Sequence, residues 1–354
     1  MARFDHVLKA ADIANKAMEM GASDVHLTVS RPPTLRIYGK LHSLDEYPPL
    51  TPDDTFKLGE ELMDSEKSRR MIQEQGHVDF SSTLPGVGRV RVNIYLQRGS
   101  YAIAIRIIPM KIPDIEELGL PPAARELLFK GSGLILVTGP TGSGKSTTLA
   151  AMINLLNQSV SGNIITLEDP IEYLHRHGTC IINQREIGTD CPDFAQGLRA
   201  ALRQDPDIIM VGEMRDLETI ATAMTAAETG HLVMATLHAA TAVQTVERII
   251  DVFPPHQQSQ IRVQLANTIL GIFSQQLVPK ADGSGRVLAA EVLVANPAVR
   301  NLIRENKTHQ LNSVMQTGAS QGMVTMEKAL SIYVERGIIT REEMKRRLLT
   351  VTQY

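Results

Sequence analysis

Residues 139–147 read Gly139-Pro140-Thr141-Gly142-Ser143-Gly144-Lys145-Ser146-Thr147. The stretch fits the phosphate-loop pattern, in which glycines let the backbone curl around an anion toward which successive N–H groups point. An apolar run at 134–137 predicts a buried strand before it, and residues 147–156 predict a helix after it. A strand, a loop and a helix N-terminus in this order hold phosphate, so we expect a nucleoside triphosphate to bind here. The pattern assigns Lys145 to the β- and γ-phosphates and the hydroxyl of Ser146 to Mg²⁺.

Composition limits the kind of protein that this chain can be. With 354 residues, it is long enough for two domains, each with its own core. The formal net charge of -3 provides no general attraction for nucleic acid or an anionic membrane. The longest apolar runs are too short to span a bilayer, and the N-terminus carries no apolar signal core. We therefore expect a cytoplasmic protein that binds no nucleic acid and reaches a membrane only through a partner, without inserting into it.

The first hundred residues predict a small α+β domain. Residues 4–20 have helical periodicity, and residues 51–75 are mostly helical. Strands of an antiparallel meander are predicted at 78–82, 89–97 and 101–108. We place this domain at 1–108 and a linker at 109–122, because the prolines there interrupt both helices and sheet ladders.

From residue 123 onward, apolar strands alternate with helices. Continuous β-branched runs of this kind are typical of a parallel sheet that is covered on both faces. The predicted strands lie at 134–138, 164–167, 208–211 and 232–236, and a hairpin joins 277–279 to 287–294. The second domain, 123–354, is therefore an α/β nucleotide-binding domain that ends in helices.

Carboxylates follow two of these strands. The strand at 208–211 leads to Glu213, a Walker B arrangement in which the acid holds Mg²⁺ through water or orients the attacking water. The strand at 164–167 is followed by Glu168, Asp169 and Glu172. We expect one of these acids to activate water, because hydrolysis of a γ-phosphate needs a positioned base. These residues by themselves do not decide between Glu168 and Glu172.

Histidines flank the strand at 232–236. His238 lies just past its carboxyl end, on the sheet edge where ligands bind, and is a candidate for a hydrogen bond to the γ-phosphate. His231 precedes the strand and is explained equally well as a structural residue.

Four arginines are candidates for stabilising charge. Arg199 and Arg203 have i, i+4 spacing within a predicted helix at 195–204, and Arg91 and Arg106 lie on N-terminal strands. An arginine supplied by a neighbouring subunit accelerates phosphoryl transfer by about 10³–10⁵. We therefore expect activity to depend on subunit assembly.

These segments together resemble the secretion ATPase superfamily, the motors of type IV pili and type II secretion, and above all its pilus-retraction ATPases. The resemblance covers almost the whole chain. It includes Ala298-Val299-Arg300-Asn301-Leu302-Ile303-Arg304-Glu305, which departs from the retraction signature AIRNLIRE at Val299. The other matching segments are 21–27, the phosphate loop, the acidic segment 168–172, the Walker B segment 205–216 and the His box 230–238.

The resemblance implies a PAS-like N-terminal domain, a RecA-like C-terminal domain and a homohexameric ring that binds ATP with Mg²⁺. It implies Glu172 as the catalytic base, and it implies that the segment 300–305 serves retraction rather than hydrolysis. An inner-membrane pilus platform protein, and in some systems a paralogous retraction ATPase, are the implied partners. The remaining implied site residues are Glu213 as the Walker B acid, His231 and His238 as the His-box pair, Arg91 and Arg106 as N-domain arginines that reach the phosphates, and Arg199 and Arg203 as interface arginines.

Several other functions compete with a retraction motor. A sister retraction ATPase that works beside a paralogue has a similar sequence. A pilus-extension or type II secretion ATPase usually carries a long extra N-terminal region and a four-cysteine zinc motif, whereas this sequence has two cysteines. A RecA-like DNA motor predicts a basic channel or tail, at odds with the net charge. A non-hydrolysing nucleotide sensor is disfavoured by the acids at 168, 172 and 213.

Overall fold

In the computed structural model, the chain forms two compact units. The structure describes residues 8–37, 39–63, 65–108 and 111–352, with side chains up to residue 349. The first unit comprises Met1–Lys111 and Pro170–Leu174, and the second comprises Ile112–Asp169 and His175–Tyr354. The division near residue 111 falls inside the predicted linker, of which Pro109 and Met110 lie outside the described residues. The limits of the linker at 109 and 122 stay a prediction.

The described part of the N-terminal unit is a six-stranded antiparallel sheet with three helices. The strand order is β3-β2-β1-β6-β5-β4, and alternate strand residues such as Val25, Val92 and Ile105 are buried in a common core with the helices. Its elements are α1 (Ala10–Glu19), β1 (Asp24–Leu27), β2 (Thr34–Ile37), β3 (Lys40–Ser43), α2 (Pro52–Leu62), α3 (Glu66–Gln75), β4 (His77–Leu84), β5 (Gly88–Gln97) and β6 (Ser100–Ile107).

The predicted meander is confirmed by the pairing of β4 with β5 and of β5 with β6. The predicted helix at 4–20 is seen from Ala10, and its first residues lie outside the described part of the chain. The helical region at 51–75 consists of two helices, because Ser65 caps a second one by accepting a hydrogen bond from the N–H of Ser68 at 3.1 Å.

The C-terminal unit is a seven-stranded sheet with the order β13-β12-β7-β11-β10-β8-β9, in which the pairs are parallel except for β12 with β13. Its elements up to the last parallel strand are α4 (Ala123–Leu128), β7 (Gly133–Thr138), α5 (Lys145–Ser159), β8 (Asn163–Glu168), β9 (Ile181–Glu186), α6 (Phe194–Ala201), β10 (Ile208–Val211), α7 (Leu217–Glu228), β11 (Leu232–Leu237), α8 (Ala242–Asp251), α9 (Pro255–Thr268) and β12 (Ile269–Pro279). The chain continues with β13 (Arg286–Val294), α10 (Pro297–Arg304), α11 (Leu311–Thr317), α12 (Met326–Glu335) and α13 (Arg341–Thr352).

The predicted parallel sheet is confirmed, and its core explains the apolar runs. Leu134 and Leu136 of β7 belong to one buried cluster, whereas Ile135 and Val137 belong to a second cluster on the other face. Both faces of the strand are therefore covered, as continuous runs require. None of the described helices has the length and apolar composition needed to cross a membrane.

The predicted helix at 195–204 is three residues too long. Helix α6 ends at Ala201, and Arg203 lies in the following turn. Pro206 disfavours helical geometry in Asp205, the residue before it. Asp205 accordingly has a left-handed backbone conformation (φ 53°), which a helix does not continue through. Arg199 and Arg203 therefore do not share a helix face.

Strand β9 went unpredicted because it is an edge strand with the mixed sequence IINQRE, of which four residues are exposed or partly exposed. A strand of this kind shows neither a continuous apolar run nor a strict alternation.

Candidate active site

The phosphate loop connects β7 to α5 and is built on glycine conformations. Gly139, Gly142 and Gly144 have φ values of 146°, 77° and 88°, which side-chain-bearing residues rarely adopt. At Gly139 an added Cβ would lie 2.3 Å from the carbonyl oxygen of Gln275 and 2.6 Å from Ser143 Oγ. Glycine is therefore required at 139 both for its conformation and for its lack of volume.

The first turn of α5 directs its N–H groups into this loop, since Gly144 at the N-cap carries no side chain to bind them. Lys145 Nζ donates to the carbonyl oxygens of Gly139 at 3.0 Å and Pro140 at 3.1 Å. The side chain of Ser146 is exposed beside it. A helix N-terminus, a lysine and a nest of N–H groups together can bind the phosphate chain of a nucleotide.

Gln275 of β12 supports the loop from beneath. Its side chain is fully buried, its Nε2 donates to the carbonyl oxygen of Ser143 at 2.9 Å, and its Oε1 accepts from Thr148 Oγ1 at 3.0 Å. One amide thus joins the loop to the first turns of α5.

The strand order gathers the acidic and histidine candidates at the same edge of the sheet. Leu237 of β11 pairs with Thr138 of β7, so that His238 follows beside the loop. Val211 of β10 pairs with Ala235 of β11 and with Leu167 of β8. The carboxyl ends of β7, β11, β10 and β8 therefore present, in that spatial order, the phosphate loop, His238, Glu213 and Glu168.

Glu213 is held by two cationic or polar neighbours. Arg215 Nε lies 2.6 Å from Glu213 Oε1, and Arg215 Nη2 donates to Glu213 Oε2 at 2.6 Å. His238 Nε2 lies 3.2 Å from Glu213 Oε1. The backbone oxygen of His238 accepts from Arg248 Nη1 at 2.6 Å. The four side chains of Glu213, Arg215, His238 and Arg248 border a cleft of about 440 Å³ that Thr141 of the loop also lines.

The electrostatics of this group keep the acid ionised and the histidine neutral. Burial raises the pKa of Glu213, but the hydrogen bond from Arg215 and the charges of Arg215 and Lys145 outweigh it and hold the pKa below its usual value. Burial lowers the pKa of His238, and the positive charge of Lys145 lowers it further against the opposing effect of Glu213. A carboxylate beside a neutral imidazole can accept a proton from, or orient, a water molecule.

Glu168 lies at the end of β8 and is 9% exposed. Its Oε1 accepts hydrogen bonds from Thr166 Oγ1 at 2.6 Å and from Gln184 Nε2 at 3.0 Å. These bonds fix the carboxylate within the sheet edge.

Two side chains near the phosphate loop have the chemistry to bind Mg²⁺ together with a triphosphate. Ser146 offers an exposed hydroxyl, and Glu213 offers an ionised carboxylate at the carboxyl end of β10, on the same edge of the sheet. Mg²⁺ prefers oxygen ligands, takes few from the protein and several from phosphate and water. Among the described residues, no group of three or more His, Cys, Asp or Glu side chains is arranged to hold a metal ion.

The chain matches the family described as "Type II/IV secretion system protein" over residues 69–318. It belongs to this family. The type IV pilus retraction ATPase PilT of Pseudomonas aeruginosa is 46% identical to it over 92% of this chain and 94% of that protein. The type IV pilus ATPase PilU of the same organism is 41% identical over 92% of this chain and 85% of PilU.

A solved structure supports the same assignment. The crystal structure of the pilus retraction motor PilT with bound ADP is 53% identical in sequence, has a TM-score of 0.90, and covers 96% of this chain and 97% of that one. The resemblance to the secretion ATPase superfamily is thereby confirmed, and so is the predicted fold class, an N-terminal sheet domain followed by a C-terminal α/β ATPase domain.

Three other predicted site residues of this secretion ATPase lie in the C-terminal unit. His231 precedes β11, at the opposite end of the strand from His238, and strand geometry separates the two by about 20 Å. Its Nδ1 is 2.9 Å from the backbone oxygen of Ala226. Arg199 pairs with Glu218 at the start of α7, and Arg203 lies in the turn after α6. Their catalytic roles stay predictions.

Three other predicted residues belong to the N-terminal unit. Arg91 and Arg106 are direct cross-strand neighbours on β5 and β6. Arg91 forms two hydrogen bonds with Asp79, at 3.0 and 2.7 Å, and Arg106 Nε donates to Asp24 Oδ1 at 2.9 Å. Glu172 lies in the segment Pro170–Leu174 that groups with this unit, whereas the sequence placed it in the ATPase domain. The assignment of the base to Glu172 or Glu168 stays a prediction.

The predicted retraction segment forms α10. Asn296 caps the helix by accepting from the N–H of Val299 at 2.9 Å, and Val299 and Ile303 are buried. Arg300 Nη1 donates to the backbone oxygens of Ala266 and, at 2.8 Å, of Asn267, at the end of α9. The arginine thus serves as a cap for the carbonyl end of a neighbouring helix.

Arg215 and Gln275 were missed by the sequence analysis. Arg215 lies two residues after Glu213 in the Walker B segment, but nothing in that spacing indicates that it turns back to the acid. Gln275 lies in the polar triplet Ser274-Gln275-Gln276, which interrupts an otherwise apolar strand. That interruption was the signal that could have identified it.

Proposed function

We propose that this chain is an ATP-hydrolysing motor that powers the retraction of type IV pili. The observation that carries the proposal is the contact of Glu213 with Arg215 and His238 at the strand ends beside the phosphate loop. The direction of the work is supported by relatives that are named for pilus retraction.

The proposed chemistry uses the loop for binding and the strand ends for reaction. Backbone N–H groups of residues 141–147, together with the side chain of Lys145, hold the phosphates of ATP. Ser146 and Glu213 would hold Mg²⁺, which neutralises charge on the β- and γ-phosphates. Glu172 or Glu168 activates the attacking water as the base. His238, a neutral imidazole with a single N–H, would donate it to the γ-phosphate in place of Glu213.

The proposed working assembly is a homohexamer in which several candidates act together. Arg91, Arg106 and Glu172 of the N-terminal unit, and Arg199 with Arg203, would complete the site in the assembled ring. We expect Arg106→Ala to lower the turnover of assembled rings by about 10³ or more, the size of effect that a phosphate-contacting arginine has. Asp24→Asn is the matched control, since it removes the negative charge that pairs with Arg106 within its own sheet and leaves the guanidinium in place. An Arg106→Ala hexamer with undiminished turnover would contradict this role.

The proposed partners follow from the same function. The motor would act on the cytoplasmic side of the inner membrane, against the platform protein of the pilus machine, and nucleic acid has no part in it. Turnover that rises on addition of DNA at moderate salt would argue for a DNA motor instead.

A second candidate is an accessory retraction ATPase that works beside a paralogue, as the identity of 41% to PilU suggests. Deletion of the gene separates the candidates. We expect abundant surface pili without twitching for the main retraction motor, and partial loss of twitching for the accessory one, whereas loss of pili would indicate extension. Lys145→Ala should reproduce the deletion and abolish ATP turnover in the purified protein, and turnover at the unsubstituted rate would exclude the proposed site.

A further inference from the structure

A buried carboxylate, Glu291, lies in the middle of β13 and is 4% exposed. It pairs across the ladder with Ser274 of β12, which precedes the loop-supporting Gln275. Carboxylates are almost never fully buried without compensating partners, because removing a charge from water is costly. Partners inside the protein must therefore offset the cost of burying Glu291.

Two helix N-termini meet this one side chain. Glu291 Oε1 accepts from the N–H of Ala242 at 2.8 Å, and Oε2 accepts from the N–H of Met326 at 3.3 Å. Ala242 is the first residue of α8, and Met326 is the first residue of α12. Two orphan N–H groups, each at the positive end of a helix dipole, are thus satisfied by the two oxygens of one carboxylate.

Helix α8 begins immediately after the loop that carries His238. The backbone oxygen of His238 accepts from Arg248 of α8, and the N–H of Ala240 donates to Gln244 Oε1 at 3.2 Å. A helix behaves as a stiff rod, so the position of its first turn determines where this loop and its imidazole lie. Two hydrogen bonds hold α8 to the sheet. One joins the N–H of Ala242 to Glu291, and the other runs from Thr245 Oγ1 to Thr138 Oγ1 at 3.3 Å.

Helix α12 is seated on the β12–β13 hairpin. The residues before it bond to β13, because Val324 and Val292 exchange two backbone hydrogen bonds at 2.8 and 3.1 Å. Met326 and Leu330 pack with Val278 and Ala289 of the hairpin, and the hydroxyl of Tyr333 donates to the backbone oxygen of Leu288 at 2.7 Å. A displacement of α12 therefore acts on the carboxylate that also holds α8.

We propose that Glu291 is a positioning residue that couples the C-terminal helix α12 to the His238 loop. The inference rests on the proposed ATP hydrolysis, since His238 has its role there. One carboxylate oxygen of Glu291 binds α8 and the other binds α12, so the loss of either hydrogen bond uncouples the two helices. The C-terminal helices would in this way modulate turnover from outside the nucleotide site.

Three substitutions in the full-length chain test the link. Glu291→Gln leaves one acceptor oxygen for two N–H donors. Met326→Pro removes the N–H on the α12 side, at a first helical position that tolerates proline and follows the extended residue Thr325. Asn296→Ala is the matched control, because it removes the N-cap of α10, elsewhere in the same unit, without touching Glu291, α8 or α12.

We expect Glu291→Gln and Met326→Pro each to lower kcat about tenfold, the effect of a barrier increase near 1.4 kcal/mol, with KM for ATP unchanged because the phosphate loop is untouched. Asn296→Ala should lower the thermal midpoint without lowering kcat. If Glu291 only stabilised the fold, the two variants would have lower thermal midpoints, but their folded forms would keep the kcat of the unsubstituted protein. That result would overturn the inference. Failure of the unsubstituted protein to hydrolyse ATP would instead overturn the proposed function.

Discussion

Arg215 and Glu213 are joined by two hydrogen bonds, from Nε to Oε1 and from Nη2 to Oε2, both 2.6 Å long. A planar guanidinium matches a carboxylate in this paired geometry. The pair fixes the orientation of the Walker B acid and favours its ionised form against the burial that opposes it. The orientation and the ionisation of Glu213 therefore depend on Arg215, a residue that phosphate-loop motifs do not include.

Substituting Arg215 should shift the pH dependence of turnover. In Arg215→Gln the pKa of Glu213 rises, because its strongest stabilising partner is lost while burial remains. The acid limb of the kcat–pH profile, on which Glu213 becomes protonated and inactive, should then move to higher pH. Steady-state turnover measured from pH 5 to 8 checks this. Arg125→Gln, which breaks a surface pair with Glu116, should leave the limb in place, and an unmoved limb in Arg215→Gln would refute the assignment.

Gln275→Leu should weaken nucleotide binding. The change keeps the volume but leaves the carbonyl of Ser143 and the hydroxyl of Thr148 without this partner inside the core. An unsatisfied buried polar group costs about 1–3 kcal/mol, so we expect a lower thermal midpoint and, because the loop is less well fixed, an ATP Kd about tenfold higher. Isothermal titration measures the Kd.

Thr148→Val provides the comparison for Gln275, because it removes one of the two bonds. Its effect should be smaller, and the double variant should show less than the sum of the two single effects, as expected for residues in one network. An additive pair, or an unchanged Kd in Gln275→Leu, would mean that the loop holds its shape without this amide.

Two arginines of α10 should differ in their contribution to stability. Arg300 donates to two carbonyl oxygens at the end of α9, whereas the exposed Arg304 approaches Asn267 Oδ1 at 3.4 Å. We expect Arg300→Gln to lower the free energy of unfolding by about 1–2 kcal/mol and Arg304→Gln to change it little. Urea unfolding of both variants provides the measurement. Equal effects would show that the capping contact contributes nothing.

Acid should destabilise the fold through His175. Burial lowers the pKa of its imidazole to about 4. The unfolded chain, with the ordinary value near 6.5, therefore binds a proton that the folded chain does not. Stability contributed by the neutral imidazole is full above the unfolded pKa and is lost as pH falls, by about 1 kcal/mol between pH 7.5 and 5.5. His175→Gln should flatten this dependence of the urea midpoint, and substitution of the exposed His256 should not. An equal slope in all three proteins would exclude His175.

The fold and much of the site were predictable because they depend on local pattern. The run at 134–137, the glycines of the loop and the acid after 208–211 each carry their meaning within a few residues. Edge strand β9 was not predictable, because half-exposed polar residues give no periodic signal. The end of α6 was misjudged because Pro206 and the left-handed Asp205 outweigh the helical pattern before them.

Contacts between distant residues were beyond the sequence for a different reason. Gln275 reaches Ser143 across 132 positions, and Arg300 reaches Asn267 across 33. Which polar side chain meets which carbonyl depends on strand order and on the packing of helices, and no local pattern encodes either.

The sequence by itself determined that a phosphate loop lies between a buried strand and a helix, and that acids and a histidine follow the neighbouring strands. Tertiary structure decided which of them meet. The order β7-β11-β10-β8 brings His238 and Glu213 within 3.2 Å of each other and leaves His231 at the far end of its strand. It also placed Glu291 between two helix N-termini. The physical reason is that parallel strands align their carboxyl ends at one edge, so that chemistry is assembled from residues that adjoin in the sheet and not in the chain.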